Sequence, residues 1–397
     1  MKKQSSRSLK LFFKAILFIW VLFIPMKTSF YPISYVLMVA IFLYYIFIKK
    51  HIEQFKNIIK QLQTLIIFFC LILISMTISN TLSPITTFQS WSTEFNYAFR
   101  YFLIFIILLF FYEERFFTKK FLIVCILFSL FIQGMDGLYQ TFFHVDLFKN
   151  IPGSISLGLT AATFNRNTFG MIMAVGTSIC IGILFQYKYN KLKKSGFFFI
   201  SLLMILFLFS LMFSYSRSSW IFLVVFGLIF GTWNYKKIKK FHIIIIFMSI
   251  LAIAILFLMN HNLMLRIDSL VSGYSAHRFE IWKQAIVLIK DKILFGYGLM
   301  TYGKIGIKEY SGVHNSILEI FLFLGLFGFI AYANLLFYIF KKIILDKNSF
   351  YLAFFIAFIT ITQFDDSIIK GIVTLSVLTI YGFFVFSENI LNEDKIL

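Results

Sequence analysis

The sequence predicts an all-α, polytopic membrane protein of about twelve spans, with one large external loop that contains short helices of its own. Composition carries the first half of that reading. Of 397 residues, 60% are hydrophobic and 14% charged, whereas soluble domains are about 45–50% apolar and about 25% charged. Spacing carries the second half. The apolar residues fall in runs long enough to cross hydrocarbon, which takes ~20 residues per helix. Twelve such spans consume ~240 residues, too many to leave room for a separate soluble domain besides the connections.

In order, the apolar runs lie at 9–26, 30–48, 63–81, 97–112, 120–138, 167–186, 195–213, 218–233, 242–260, 316–340, 349–364 and 368–387. The chain thus divides into 1–260 with nine spans, a loop at 261–315, and 316–397 with three spans. A basic start leads into the first run without a small-residue cleavage site, which reads as a retained helix rather than a leader. With the N-terminus inside, Lys2, Lys3, Arg7, Lys10 and Lys14 share a side with Lys49, Lys50, Lys56 and Lys60. Arg115, Lys119, Lys120, Lys188, Lys191, Lys193, Lys194, Lys236, Lys237, Lys239, Lys240, Lys341, Lys342, Lys347 and Lys395 follow on that side. Basic residues gather in cytoplasmic loops, so the net charge of +20 belongs to one membrane face and does not mark a nucleic-acid surface. Both termini are expected in the cytoplasm.

Cys70, Cys125 and Cys180 all fall inside predicted spans, where they read as small apolar residues with neither disulfide nor metal-site spacing. Two external connections are long, 139–167 and 261–315. Loops beyond ~12–15 residues in compact proteins are usually functional or disordered. The second contains a helical pattern over 276–291, with Ser275 as its cap and Phe279, Trp282, Ala285, Ile286 and Ile289 on one face. Phe295-Gly296-Tyr297-Gly298 after it reads as a turn in preference to a phosphate loop.

Ionisable groups at membrane depth are costly and tend to mark function. On the external side stand Arg100 at the start of span four, Arg166 before span six, Arg217 between spans seven and eight, and Arg266 and Arg278 in the loop. His314, Glu319, Asp365 and Asp366 complete the set. Ser216-Arg217-Ser218-Ser219 opens a span, where guanidinium, hydroxyls and helix-end N–H groups suit a phosphate. A neutral imidazole at His314 suits proton abstraction from a hydroxyl. No His/Cys cluster and no external Asp-x-Asp offers to hold a divalent cation, so no metal and no cofactor is expected.

Together these residues resemble the O-antigen ligase / O-antigen polymerase superfamily of bacterial membrane glycosyltransferases. The likeness rests on Ser216-Arg217-Ser218-Ser219, on Arg278-x-x-x-Trp282 followed by Gly296-x-Gly298, and on His314-Asn315-Ser316-Ile317-Leu318-Glu319 with Gly325 and Gly328. Phe164-Asn165-Arg166-Asn167 is similar to an Asn-rich element of the family. The resemblance implies transfer of a glycan from undecaprenyl diphosphate to lipid A–core oligosaccharide on the periplasmic face of the inner membrane, inverting and metal-independent. Arg217 and Arg278 would hold the diphosphate and His314 would activate the acceptor hydroxyl, with Arg166, Arg100, Glu319 and Asp366 as further substrate-binding candidates. Partners are then the lipid-linked donor, the lipid A–core acceptor and membrane lipids, with no nucleic acid. The His-Asn ending and the larger second loop favour a ligase over a polymerase or a protein O-oligosaccharyltransferase. A secondary transporter is the alternative from another class. It predicts related halves and broken helices near mid-membrane, and the sequence displays neither.

Overall fold

The computed structural model describes residues 2–150, 152, 158–186, 194–238, 260–271, 277–299, 301–306, 312–364 and 371–388. Among the described residues the secondary structure is helical, apart from an isolated bridge between Val145 and Pro152. The helices are α1 (Lys2–Phe23), α2 (Phe30–Leu43, prolonged by a π turn at Tyr44–Ile48), α3 (Ile52–Gln61), α4 (Gln63–Leu82) and α5 (Phe88–Glu113). They continue as α6 (Lys119–Phe143), α7 (Arg166–Gln186), α8 (Lys194–Phe213), α9 (Arg217–Trp233) and α10 (His261–Val271). The last are α11 (Arg278–Asp291), α12 (Tyr302–Ile305), α13 (Ser316–Asp346), α14 (Ser349–Ile361) and α15 (Ile372–Ser387).

Among the described residues, seven helices are long and apolar enough to cross a membrane, and α9, α14 and α15 are shorter apolar helices. Each predicted span on described residues corresponds to a helix; the ninth, 242–260, lies almost wholly outside them. α3 was not anticipated. Its single amphipathic stretch buries only Ile58 and pairs Lys56 with Glu53 at 3.1 Å, a signal too short to stand out among basic loop residues.

The chain forms two compact units. The first comprises Met1–Cys125, His277–Leu345 and Thr362–Ile396; the second comprises Ile126–Ala276 and Asp346–Ile361, with Leu397. In the first, α1 packs on α2, and α5 packs on α2, α4 and α15. Phe13, Phe110, Phe111 and Phe116 form an aromatic core there, with the Phe13 and Phe111 rings 4.1 Å apart. In the second, α7 packs on α8 and α9, and α9 on α14. Phe222, Phe226 and Phe230 fill the seam against Phe350 and Phe354.

The main departure from a plain bundle lies in α13. Gly325 adopts φ 66°, ψ −165°, which breaks the helix, about 13 Å along from Ser316. A break there strands backbone groups at membrane depth, where irregular backbone survives only if protein covers it. The large loop supplies the cover. Tyr297 N donates to Leu322 O (2.8 Å), Gly298 N to Phe323 O (3.0 Å), and Leu326 N to Ile293 O (2.8 Å). Ser79 Oγ donates to Phe323 O as well. Gly296 and Gly298 take φ of 69° and 85°, and a Cβ on either would collide with Leu322–Phe323 backbone or with Thr86. The Gly-Tyr-Gly turn is therefore a turn, as the sequence suggests, but one pressed against a broken helix. The expectation of no broken span is thus corrected.

Gly325→Ala should be costly, because its Cβ would sit 2.3 Å from Leu294 O in a left-handed conformation. Destabilisation of more than about 1 kcal/mol is expected, read as a lower unfolding temperature in detergent. Gly227→Ala, on a helix with nothing within 4 Å, should be neutral or stabilising by up to about 1 kcal/mol.

Candidate functional site

Three helices in the external half of the sequence motifs open on an arginine: α7 on Arg166, α9 on Arg217 and α11 on Arg278. A cation at a helix N-terminus opposes the macrodipole by about 0.3–1 kcal/mol. That opposition disappears once an anion binds between the guanidinium and the helix end.

In the first unit, His277 stands at the cap position of α11 in a left-handed conformation (φ 60°), with its Nδ1 2.9 Å from Glu280. The expected cap, Ser275, lies outside the described residues. Arg278 is half-buried. One turn on, Trp282 Nε1 donates to Val313 O at 3.1 Å, and its ring packs 6.2 Å from Phe364. This bond ties the helix that carries Arg278 to the residue preceding His314. His314 is half-buried with φ 52°, a local strain that turns the chain into α13.

Beyond His314 the start of α13 is held firmly. Asn315 Oδ1 accepts from Leu318 N at 3.0 Å, Ser316 N donates to Thr362 O at 3.0 Å, and Gln363 Nε2 donates to Ser316 Oγ at 2.8 Å. Glu319, in the first turn, is buried. In the first unit Trp282 thus links the helix that Arg278 opens to the residue before His314, and Glu319 follows in the first turn of α13. Nearby, Asp291 bonds the Tyr297 hydroxyl. Desolvation first, and then that carboxylate, hold the phenol above its ordinary value.

α11 does not present the face expected of it. Ile281 and Ala285 are buried, while Phe279, Ile286 and Val287 are exposed. The apolar stripe was read as one face; part of it is an outward surface, of the kind that suits a membrane boundary. Tyr302 reaches this helix from α12, with its hydroxyl 3.2 Å from Gln284 Oε1.

In the second unit, Arg217 follows Ser216, which takes an extended conformation at the cap position with no side-chain cap bond. Ser216 Oγ lies 3.2 Å from Ser218 Oγ and 2.8 Å from Ser219 Oγ. A Cβ on Gly170 would meet Ser214, Ser216 and Ser219 within 2.8 Å, so this glycine lets α7 approach. Ser219 Oγ reaches Asn167 O at 3.5 Å. The starts of α7 and α9, which Arg166 and Arg217 open, therefore lie side by side next to a cluster of serine hydroxyls.

Other candidates fare differently. Arg100 lies inside a helix: α5 begins at Phe88, about two and a half turns before the apolar run at 97–112, because Trp91, Phe95 and Tyr97 extend the helix into what reads as a polar connection. Arg266 falls in α10. Asp365 and Asp366 lie outside the described residues. Two side chains escaped the sequence reading. Asp136, buried in α6, accepts from Leu147 N at 2.7 Å, and Gln140 Oε1 accepts from Thr160 N and Ala161 N, both at 3.0 Å. Together they hold Leu147 and the Thr160–Ala161 pair that precedes Arg166. The signal was present as an acid and amides within an apolar run.

Residues 202–333 match the family model described as O-antigen ligase. That segment contains Arg217, Arg278, the Gly-Tyr-Gly turn, His314, Glu319 and Gly325, and the match supports the O-antigen ligase superfamily. No curated protein matches the sequence.

Trp282→Phe keeps the ring against Phe364 and removes only the N–H bond to Val313. It should destabilise by about 1 kcal/mol and speed proteolytic cleavage near 312–316, measured on the purified chain. Unchanged cleavage would show that the indole bond does not hold His314.

Proposed function

We propose that this protein transfers a glycan from undecaprenyl diphosphate to lipid A–core oligosaccharide at the periplasmic face of a bacterial inner membrane, as an O-antigen ligase. The observation that carries the reading is the Trp282–Val313 bond, which couples the Arg278 helix to His314 within the segment that matches the family. His314 takes the proton from the acceptor hydroxyl. That oxygen bonds to the anomeric carbon as its bond to the diphosphate breaks, so configuration inverts. Arg278 takes up the charge that develops on the departing diphosphate, the main electrostatic demand of the step, and Arg217 is the further candidate for that role. Arg166, which opens the helix next to that of Arg217, is assigned to the same anion. Glu319 and Asp366 are assigned to substrate binding, and no metal enters.

Polymerisation of lipid-linked repeats uses the same donor and the same groups. The two outcomes separate in a deletion strain. Loss of a ligase leaves lipid A–core without polymer while lipid-linked polymer accumulates; loss of a polymerase leaves a core bearing one repeat. The break at Gly325 brings the transporter alternative back into view, since transporters use free half-helix ends to hold ions. Here the carbonyls of Leu322 and Phe323 and the N–H of Leu326 are already paired with residues 293–298, which argues against an ion site.

Arg217→Ala, Arg278→Ala and His314→Ala should each reduce transfer by about 100-fold or more in an assay with purified protein, lipid-linked glycan and truncated lipid A–core, with normal membrane insertion. Arg278→Lys should fail as well, because lysine cannot make a bidentate contact with phosphate. Transfer should survive chelation. Wild-type rates for His314→Ala would remove the base from this scheme, and activity lost to chelator and restored by magnesium would overturn the metal-free step.

A further inference from the structure

Arg100 lies well inside α5, about 18 Å along the helix from Phe88, yet among the described residues no carboxylate pairs with it. Its surroundings are tyrosines instead. The guanidinium carbon is 5.1 Å from the Tyr35 ring and 5.8 Å from the Tyr97 ring, and the group bonds the Tyr31 hydroxyl. Tyr31 in turn bonds the Tyr101 hydroxyl, and Tyr101 bonds Ser376. Two N–H donors beside this chain are buried without any acceptor: Arg100 Nε and the indole Nε1 of Trp20, whose ring stacks on Tyr31 at 6.4 Å.

Depth narrows what could satisfy them. Tyr31 and Tyr35 lie in the first two turns of α2, and Ser376 in the second turn of α15. The residues around Arg100 thus come from the first turns of two apolar helices, and the ends of spanning helices are where tyrosines gather and phosphate groups of lipids lie. A half-buried cation whose Nε is buried without an acceptor, and which no carboxylate among the described residues pairs, calls for a group that only accepts and carries negative charge.

Directly adjoining is a crevice of about 200 Å³ among α4, α5, α13 and α15. Phe69, Phe102, Leu335 and Leu378 wall it, and so does Tyr101, the residue that links it to the arginine cluster. It runs past Gly382 to Phe386, down most of α15. Inside a bilayer, a channel with such walls takes hydrocarbon.

We propose that the Arg100–Tyr31–Tyr101 cluster and this crevice together bind an anionic lipid, its phosphate on Arg100 and one of its chains between α4, α5, α13 and α15. The site lies wholly in the first unit and does not depend on the transferase reading.

The test is native mass spectrometry of the full chain in neutral detergent, titrated separately with phosphatidylglycerol, undecaprenyl phosphate, diacylglycerol and inorganic phosphate. Both phospholipid classes should bind the wild type. Arg100→Gln, which keeps N–H donors but no charge, should weaken them about tenfold or more, with its lipid-free unfolding temperature unchanged. Ala98→Phe, which fills the crevice from α5, should weaken them without affecting binding of inorganic phosphate. Preference for undecaprenyl phosphate would identify the occupant as a polyprenyl carrier, and equal binding would identify it as a general membrane phospholipid; either outcome supports an anionic lipid site. Wild-type affinity in Arg100→Gln, or binding of diacylglycerol as tight as that of phosphatidylglycerol, would overturn it.

Discussion

Backbone N–H and C=O groups inside a bilayer have no water to bond, so a helix that breaks there must find its partners in protein. In α13 the break at Gly325 creates that demand, and the segment 293–298 meets it. Much of the loop's placement follows. Leu299 N is held by Asn80 Oδ1 at 3.0 Å, while Asn80 Nδ2 donates to Met76 O and Thr86 Oγ1 donates to Asn80 O. Lys304 Nζ reaches Ile85 O at 2.9 Å. With its middle pinned in this way, the loop presents α11 so that Trp282 meets Val313, and the histidine turn becomes a defined feature rather than a loose exit into the helix.

How far this was legible depends on the kind of signal. Apolar runs located the spans because length and hydropathy are local properties, and Phe279 through Ile289 announced a helix for the same reason. Which side of that helix packs was not local: Ile281 is buried and Phe279 exposed because the partners come from elsewhere in the chain. Gly296 and Gly298 were readable as a turn from residue type alone, yet nothing nearby in sequence names Leu322 and Phe323 as their partners. The start of α5 at Phe88 was hidden because its first turns are mixed in polarity, which disguised them as a connection. Asp136 and Gln133 sat in plain view inside an apolar run and were passed over; Asp136 now has a structural task, whereas the Gln133 amide is buried without a partner.

For the candidate site, residue types and order were the informative part. The motif residues Arg217, Arg278 and His314 fall within the segment that matches the O-antigen ligase model. What sequence could not supply is the local architecture: the serine corner that Gly170 permits, the neighbouring starts of α7 and α9, and the indole bond between the arginine helix and the histidine turn. Each unit therefore contributes an anion-ready helix start built by a different device, close hydroxyl packing in one and a tryptophan tether in the other. Arg100 uses a third device, a tyrosine frame, and answers to lipid rather than to the transferred sugar.

The claim on which these features rest is that residues 293–298 complete the backbone of α13 at membrane depth. Hydrogen exchange on the full chain in lipid nanodiscs tests it most directly. The amides of Tyr297, Gly298 and Leu326 should exchange as slowly as those in the interior of α13. Exchange of the 293–298 segment at the rate of an open loop would contradict the account, and with it the positioning of the histidine turn.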